Sequence, residues 1–342
     1  MKQMSYATKL LTTSEADIEY AAGLIRDGEV VGMPTETVYG LAADAENSSA
    51  VEKIFKAKGR PQDNPLIVHI AEAGDIDEYA HDVPEIAYKL AEKFCPGPLT
   101  MVLPKRDRIP DITSAGLDTV GIRIPYHPSA RKLIRLSGKA IAAPSANLSG
   151  SPSPTTAAHV MNDMNGRIPA VIDGGSCPVG VESTVISFEK GAIRILRPGF
   201  ISWEELSEFG EVIKDRHITE SAGEGETVRS PGMKYKHYSP KARVTIVCGS
   251  EQQFADFVNR SSNDKVYAMP FEASEKIRVP CIPYGNTAEE QAARLFAVLR
   301  EFDDKGAERV YAMCPSQSGV GLAVYNRLLR AAGFDIIYLH GK

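Results

Sequence analysis

Three cations in the first half of the sequence have surroundings that suit anion binding. Lys58 and Arg60 lie in KAKGRPQDNPLIVH, beside two prolines that hold the chain extended, and cations on such a rigid segment suit a polyphosphate. Arg123 lies in the apolar run TVGIRIP, where a buried guanidinium needs an anion or several acceptors to offset its lost hydration. The sequence therefore predicts a phosphate site at Lys58 and Arg60 and a carboxylate site at Arg123.

Each of these cations also has an ordinary structural explanation. Lys and Arg at the end of a helix stabilise its dipole without a ligand, and for Lys58 and Arg60 taken alone this explanation is the better one. For Arg123, an ion pair with one of the chain's acidic side chains is as good an interpretation as a bound carboxylate. The other polar clusters must decide between these interpretations.

Polar loops with small residues follow several apolar runs. They are MPTETVYGL, AAPSANLSGSPSPT with Ser145, Asn147 and Ser153, DGGSCPVGVESTVIS with Ser183, and LRPG with Arg197. Loops at strand ends often bind ligands, although hydroxyls in a plain turn can merely satisfy backbone groups. His69, inside the apolar run LIVHI, is by itself more typical of a hydrogen-bonded core histidine than of a ligand.

Familiar nucleotide and metal motifs are absent from the sequence. It has no GxxxxGK[ST] loop, no GxGxxG fingerprint, no GxSxG elbow and no HExxH helix, and SGVGLA at 318–323 is weak evidence for a nucleotide site. The five cysteines form no CxxC pair, which favours a reduced, cytoplasmic protein without a zinc site. If a nucleotide binds, it therefore binds through cations and polar loops.

The elements that position these residues are predicted to alternate between helix and strand. Ser14 begins a helix that ends before Gly28, Val51 lies in a second helix, and Pro84 begins a third. Short apolar strands bounded by Pro or Gly are predicted at 29–33, 66–70, 99–103, 120–124, 140–143, 183–188 and 193–196. The first part of the chain is therefore predicted to be α/β with one sheet.

Residues 218–243 break this pattern and form the best linker candidate. They are rich in Gly, Ser, Pro and charge, and the stretch from Thr227 to Ser250 contains no acidic residue. After them, strands at 244–247, 266–269, 309–314 and 335–339 alternate with helices at 252–259, around Leu295 and at 322–332. We therefore predict a domain at 1–217, a linker at 218–243 and a smaller, doubly wound domain at 244–342.

Composition limits the classes of protein to which the chain can belong. Its 342 residues are 43% hydrophobic and 24% charged, the balance of an ordinary globular protein. The net charge of -5 argues against a protein that coats nucleic acid by bulk attraction. The polar segment from Met1 to Leu11 has no apolar core for a signal peptide or membrane span.

Several long motifs, taken in order, identify a family. PTETVYGL, KGRPxxNPLIVH, PGPLTMVL, GIRIP, APSANLSG, GVESTV and LRPG closely resemble the YrdC-like domain of threonylcarbamoyl-AMP synthases over about residues 14–215. SPGMKYKHYSP and the domain after it resemble the long, two-domain Sua-type members. The resemblance implies an N-terminal YrdC-like domain with a twisted, open, mixed sheet flanked by helices, plus a smaller C-terminal Rossmann-like α/β domain.

The resemblance also implies a reaction. L-threonine, bicarbonate or carbon dioxide, and ATP are joined to give threonylcarbamoyl-AMP and diphosphate, and a downstream transferase complex then makes N6-threonylcarbamoyladenosine in tRNA. The carbamate of threonine is the nucleophile, so the protein positions the substrates and stabilises charge. Magnesium is expected on the triphosphate, without a dedicated carboxylate cage, and tRNA is a further candidate partner. No membrane is implied.

The family's site residues are carried over by motif, with Lys58 and Arg60 as the catalytic pair. The residues implied for ATP are Lys58, Arg60, Asn64, Thr119, Ser145, Asn147, Ser153, Arg197 and Tyr238. Those implied for L-threonine are Thr37, His69, Arg123, Ala143 and Ser183. In the family the linker folds over the active-site groove, so Tyr238, with His237 beside it, is expected to act as a lid.

Two other functions remain open from the sequence. A basic groove could hold an RNA backbone in a ribosome-maturation module, although the negative net charge and the lack of RRM or KH signatures disfavour this. YrdC-like modules in larger carbamoyltransferases serve another acceptor, but those proteins carry extra catalytic domains and none is visible here. The adenylate synthase is therefore the preferred interpretation.

Overall fold

The structure, a computed structural model, describes residues 6–220, 238–261 and 263–339. These residues group into two compact units. The first unit contains the described residues before 221 except two short segments, Gly150–Pro152 and Val179–Val181. Both segments group with the described residues after 237 in the second unit. Most of the predicted linker, 221–237 with His237, lies outside the described residues.

The first unit is built on an eleven-stranded mixed sheet. Its strands are β1 (Lys9–Leu11), β2 (Val31–Met33), β3 (Gly40–Asp44), β4 (Ile67–His69), β5 (Leu99–Pro104), β6 (Thr119–Arg123), β7 (Ile141–Ala142), β8 (Ala170–Ile172), β9 (Thr184–Glu189), β10 (Ala192–Arg197) and β11 (Val212–Lys214). Their order is β1-β8-β2-β3-β7-β4-β6-β5-β9-β10-β11, with parallel and antiparallel neighbours. The expected open mixed sheet is confirmed.

Helices accompany this sheet. They are α1 (Glu15–Arg26), α2 (Ser48–Lys58), α3 (Ile76–Tyr79), α4 (Glu85–Phe94), α5 (Asp111–Ser114), α6 (Pro128–Ser137), α7 (Ala157–Met164) and α8 (Trp203–Ser207), with 3-10 turns at Ala73–Asp75 and Arg216–Ile218. Ser14 caps α1 as predicted, because its hydroxyl accepts a hydrogen bond from the amide of Asp17 at 3.2 Å. Ile18 of α1 and Leu133 of α6 share a buried core with Val31 of β2.

Nine elements of the first unit were not predicted, namely β1, β3, α3, α5, α6, α7, β8, α8 and β11. The loop 34–39 joins β2 to an antiparallel β3, with Met33 paired to Gly40, so MPTETVYGL ends inside a strand. The sequence of β3, GLAAD, has low β propensity, and its pairing with β2 and β7 makes it a strand. The predicted strands 29–33 and 66–70 are shorter than expected, covering Val31–Met33 and Ile67–His69.

The second unit has a sheet of four parallel strands. The strands are β12 (Arg243–Cys248), β13 (Val266–Met269), β14 (Arg309–Met313) and β15 (Ile336–Tyr338), in the order β13-β14-β12-β15. The helices α9 (Glu251–Val258), α10 (Ala288–Asp304) and α11 (Gly319–Ala331) connect them. Strands that alternate with helices in a parallel sheet confirm the smaller Rossmann-like α/β domain. In the part of the chain that the structure describes, no helix combines the length and apolarity needed to cross a membrane.

Candidate active site

Four polar residues lie side by side on neighbouring strands of the first unit. The parallel pairing of β4 with β6 places His69 opposite Arg123, and the antiparallel pairing of β6 with β5 places Arg123 opposite Thr100. The hydroxyl oxygens of Thr100 and Ser183 lie 2.7 Å apart, which extends the row to the residue before β9. All four residues are buried. The sheet register thus brings together residues that are up to 114 positions apart in the chain.

A buried ion pair occupies the centre of this row. Arg123 Nη2 donates to Glu36 Oε1 at 2.7 Å, and each side chain is 5% exposed. The other carboxylate oxygen of Glu36 accepts a hydrogen bond from the amide of Tyr126 at 3.0 Å. Arg123 Nε is buried and has no hydrogen-bond partner among the described residues. The ion pair that the sequence left open as an alternative is therefore present, and one guanidinium donor is still unused.

The groups around this ion pair are held in their neutral forms. Burial and the nearby charge of Arg123 lower the pKa of His69 to about 3, so its imidazole is neutral at pH 7. Burial raises the pKa of Cys95 and of Cys177 to about 12, so both thiols stay protonated. Arg123 and Glu36 therefore form an ion pair whose neighbours His69, Cys95 and Cys177 are uncharged at pH 7.

Lys58 connects two of the sequence clusters. It is the last residue of α2, and it is buried, whereas Lys56 on the same turn is exposed. Its ammonium donates to the backbone oxygen of Ser145, to the backbone oxygen of Asn147 at 2.7 Å and to Asn147 Oδ1 at 3.4 Å. Ser145 Oγ in turn donates to Asn147 Oδ1 at 2.6 Å. Lys58 is therefore not a solvated residue at a helix end, because the loop after β7 encloses its side chain.

Backbone oxygens hold Arg60 within its own motif and hold Arg197 against the GVESTV motif. Arg60 Nη2 donates to the oxygens of Asn64 and Pro65 at 3.2 and 3.4 Å. Arg197 Nε and Nη2 donate to the backbone oxygen of Ser183 at 3.2 and 3.1 Å, and Nη2 also donates to Ser183 Oγ at 3.2 Å. The LRPG and GVESTV motifs therefore meet, as do the two ends of GRPQDNP.

The remaining residues implied for ATP lie at several places in the first unit. Ser153 Oγ donates to Glu182 Oε1 at 2.6 Å, and both residues are buried. Thr119 begins β6 and lines a small cavity with Val102 and Val185. Arg123 ends the same strand, so Thr119 and Arg123 lie roughly 13 Å apart at the rise of a β-strand. The two residues thus lie at opposite ends of β6.

The last residues implied for threonine lie in the loops at the neighbouring strand ends. Thr37 Oγ1 lies 2.9 Å from Thr35 Oγ1, and Thr35 Oγ1 accepts from the amides of Thr37 and Val38, which fixes the PTET loop. The amide of Ala143 donates to the oxygen of Ile67 in β4 at 3.0 Å. The hydroxyl of Thr35 therefore satisfies backbone groups, as the structural explanation expected, and the hydroxyl of Thr37 contacts it, with Glu36 between the two residues in the chain.

Tyr238 belongs to the second unit. Its side chain is buried, its φ is +63°, and its ring centroid lies 5.1 Å from that of Phe296 in α10. Arg327 of α11 lies 5.9 Å from the centre of the same ring. These contacts belong to the second unit itself, so the expected contact of Tyr238 with a nucleotide stays a prediction.

Three residues of this arrangement were missed as site candidates. Glu36 was visible as the one carboxylate among the hydroxyls of MPTETVYGL, and Thr100 lies in PGPLTMVL. Glu182 is adjacent to the predicted Ser183. An acidic residue inside a loop that is otherwise neutral was the feature that could have identified Glu36.

The described residues also permit a test for a metal site. Within 6–220, 238–261 and 263–339, no group of three or more His, Cys, Asp or Glu side chains is placed to hold an ion. The cations Lys58, Arg60 and Arg197 could hold phosphate oxygens but not a metal.

Comparisons with known proteins agree across the whole chain. A family model described as "Telomere recombination", of Sua5, YciO and YrdC proteins, matches residues 23–199, and one described as "Threonylcarbamoyl-AMP synthase, C-terminal domain" matches 201–333. The threonylcarbamoyl-AMP synthase of Pyrococcus abyssi is 44% identical over 333 residues, covering 94% of this chain and 96% of the relative. That of Bacillus subtilis is 44% identical over 338 residues, covering 96% and 97%. The crystal structure of P. abyssi Sua5 complexed with L-threonine has a TM-score of 0.92 at 42% identity, covering 97% of this chain and 100% of that chain.

Proposed function

The chain belongs to the family of threonylcarbamoyl-AMP synthases, and on that basis we propose that its first unit joins L-threonine, bicarbonate or carbon dioxide, and ATP at the strand ends described above. The products are threonylcarbamoyl-AMP and diphosphate. The enzyme is a nucleotidyltransferase, because AMP is transferred to the carbamate of threonine.

The observation that carries this proposal is the convergence of buried cations with polar loops in one unit. Lys58 is held by the Ser145–Asn147 loop, Arg197 by Ser183, and Arg123 lies beside His69 on the adjacent strand. A triphosphate and an α-carboxylate are both anionic, and a site that takes both needs several fixed positive charges. Helix α2 supplies Lys58, and strands β6 and β10 supply Arg123 and Arg197.

The chemistry needs no nucleophile from the protein. A carbamate oxygen of threonine attacks the α-phosphorus of ATP, the bond from that phosphorus to the bridging oxygen breaks, and diphosphate leaves with the electron pair. The ammonium of Lys58 and the guanidiniums of Arg60 and Arg197 would stabilise the charge that builds on the phosphate oxygens. Lys58 would exchange a neutral carbonyl acceptor for a charged phosphate oxygen, which makes the stronger hydrogen bond with an ammonium.

We assign the substrate contacts as follows. ATP binds Lys58, Arg60, Asn64, Thr119, Ser145, Asn147, Ser153 and Arg197. L-threonine binds Thr37, His69, Arg123, Ala143 and Ser183, with its carboxylate on the guanidinium of Arg123. Magnesium would enter as a counterion of the triphosphate, held by phosphate oxygens and water, and would neutralise part of their charge.

The product defines the next reaction. Threonylcarbamoyl-AMP is a mixed anhydride, so a transferase that delivers the threonylcarbamoyl group to tRNA adenosine must consume it. We place this pathway in the cytoplasm, where such a protein keeps its thiols reduced, and all five cysteines of the chain are free. The RNA-binding alternative is not favoured, because the relatives at 44% identity over the full chain are threonylcarbamoyl-AMP synthases.

Diphosphate release with each substrate omitted in turn tests this function. We expect release to require ATP, L-threonine and bicarbonate together, with threonylcarbamoyl-AMP detected by mass spectrometry. Release that continues without threonine or without bicarbonate would contradict the proposal. Tight binding of bare tRNA without turnover would instead favour the RNA-binding module.

A further inference from the structure

The carboxylate of Glu36 has no role in the function proposed above, although it is among the most buried acidic groups of the first unit. Glu36 is 4% exposed and lies between Thr35 and Thr37, whose hydroxyls fix the loop. Its two oxygens accept one hydrogen bond each, from Arg123 Nη2 at 2.7 Å and from the amide of Tyr126 at 3.0 Å. A carboxylate can accept about four hydrogen bonds, so Glu36 retains acceptor capacity.

The partner of Glu36 also has unused capacity. Arg123 Nε is a buried donor without a hydrogen-bond partner among the described residues. A buried donor left without a partner is destabilising, and a ligand that brings an acceptor removes that penalty. An Arg–Glu pair with one spare donor and spare acceptor sites is therefore not a fully satisfied structural ion pair. Its unused donor and acceptor sites are available to a ligand that binds there.

The charges of the pair match those of a free amino acid. The pair carries one positive charge on Arg123 and one negative charge on Glu36, and the nearby side chains of His69, Cys95 and Cys177 are neutral at pH 7. L-threonine is a zwitterion with a carboxylate and an ammonium on the same carbon. The Arg123–Glu36 pair has no net charge, so a bound zwitterion leaves no charge uncompensated only if both of its own charges find partners.

We propose that Glu36 binds the α-ammonium of L-threonine, so that the Arg123–Glu36 pair recognises the amino acid as a zwitterion, carboxylate on Arg123 and ammonium on Glu36. This inference rests on the proposed function, because it takes threonine as the ligand of Arg123. It makes Glu36 a substrate-binding residue and explains why the PTET loop contains an acidic residue.

A ligand series on the unmodified full-length protein gives the first test. Titration calorimetry compares L-threonine with (2S,3R)-2,3-dihydroxybutanoate, in which a hydroxyl replaces the ammonium. We expect the dihydroxy acid to bind at least about tenfold more weakly, since hydrogen bonds to charged groups are the stronger ones. Equal affinity for the two ligands would overturn the proposal whatever any variant does.

Substitution of Glu36 gives the second test. Glu36→Gln should weaken L-threonine binding at least about tenfold and leave the dihydroxy acid within about twofold, so that the discrimination between the ligands is lost. Glu36→Asp, which keeps the charge, should retain part of the discrimination. Glu72→Gln is the matched control, because Glu72 also pairs with an arginine, Arg131 at 3.0 Å, but is half exposed. It should change neither affinity.

A purely structural role for Glu36 predicts a different result. If Glu36 only orients Arg123, Glu36→Gln will weaken the binding of L-threonine and of the dihydroxy acid by the same factor. That outcome would overturn the proposal. Thermal unfolding of each variant shows whether it is folded, and if Glu36→Gln is not, the comparison of the unmodified protein with Glu36→Asp decides. An unmodified protein that makes no threonylcarbamoyl-AMP would refute the proposed function itself, which is a separate result.

Discussion

The ammonium of Lys58 donates a hydrogen bond to the backbone oxygen of Asn147 at 2.7 Å, and this bond joins the end of α2 to the loop after β7. The two residues are 89 positions apart and belong to two different sequence motifs. A buried lysine that holds a polar loop can transfer its hydrogen bonds to a phosphate that enters the loop. This makes Lys58 a suitable phosphate-binding residue.

We expect Lys58→Met to weaken ATP binding by roughly 10- to 100-fold, because hydrogen bonds to charged groups contribute about 1.5–3 kcal/mol. Calorimetric titration with ATP measures the loss. Lys53→Met is the matched control, since Lys53 lies on the same helix and its ammonium pairs with Glu29 at 2.7 Å. Equal losses in the two variants would mean that Lys58 has no specific part in ATP binding.

The hydrogen bond from Ser153 to Glu182 limits the contacts that the Ser153 hydroxyl can make with ATP. Its one hydrogen is donated to Glu182 at 2.6 Å, so toward a nucleotide it can only accept, from a ribose hydroxyl or the adenine amine but not from a phosphate oxygen. We therefore expect Ser153→Ala to weaken ATP binding by roughly 3- to 10-fold, since a neutral hydrogen bond contributes about 0.5–1.5 kcal/mol. Diphosphate binding should be unchanged. Both affinities can be measured by calorimetry.

Ser187→Ala is the control for this prediction. Ser187 Oγ is buried without a hydrogen-bond partner in the described part of the chain, so its removal should change neither affinity. A parallel loss of ATP and diphosphate binding in Ser153→Ala would instead assign its hydroxyl to the phosphates.

His69 should make stability depend on pH. Its pKa is about 3 in the folded protein, against 6.5 for an ordinary histidine, so between these values the unfolded chain binds the extra proton. Stability therefore falls as the pH falls, by about 2 kcal/mol between pH 7.5 and pH 5 for a fully buried imidazole. In His69→Gln this contribution is absent. The free energy of unfolding of the unmodified protein, minus that of His69→Gln, should therefore be about 2 kcal/mol smaller at pH 5 than at pH 7.5. Urea denaturation at both pH values measures this difference.

His81→Gln controls for the loss of an imidazole at an exposed position. If the difference in free energy of unfolding between the unmodified protein and His69→Gln is the same at pH 7.5 and pH 5, His69 is not held neutral in the folded protein.

Gly180 should be sensitive to a single added methyl group. Its φ is +76°, and a Cβ there would lie 2.3 Å from the backbone oxygen of Ala292 in α10, within the second unit. Gly306 has a similar φ of +67° but no atom within 4 Å of such a Cβ. Gly306→Ala should therefore lower the free energy of unfolding by about 1–2 kcal/mol through backbone strain alone. Gly180→Ala should cost a further ~1–3 kcal/mol through the clash.

Urea denaturation followed by circular dichroism measures both values. Equal losses for the two alanine variants would mean that the segment with Gly180 moves away from α10 at little cost.

The order and class of the elements were largely predictable from local patterns. Ser14 and Asp17 marked the first helix, and apolar runs between Pro and Gly marked the strands at Leu99–Pro104 and Thr184–Glu189. The parallel sheet of the second unit followed from its alternation of strand and helix. Such features depend on residues close in sequence, and for that reason periodicity and turn chemistry were sufficient to find them. GLAAD was missed because its strand state depends on its neighbours in the sheet.

The sequence by itself determined which residue types are available to the site: the cations Lys58, Arg60, Arg123 and Arg197, the serine loops, and the family to which their order points. The tertiary structure alone decided how these residues are paired. A local pattern could not show whether the guanidinium of Arg123 is unpaired or forms an ion pair with Glu36. The pairing depends on the register of β4 with β6 and on a loop residue 87 positions away. Burial then fixed the charges, since the same histidine or cysteine is neutral or ionised according to its hydration and its neighbours.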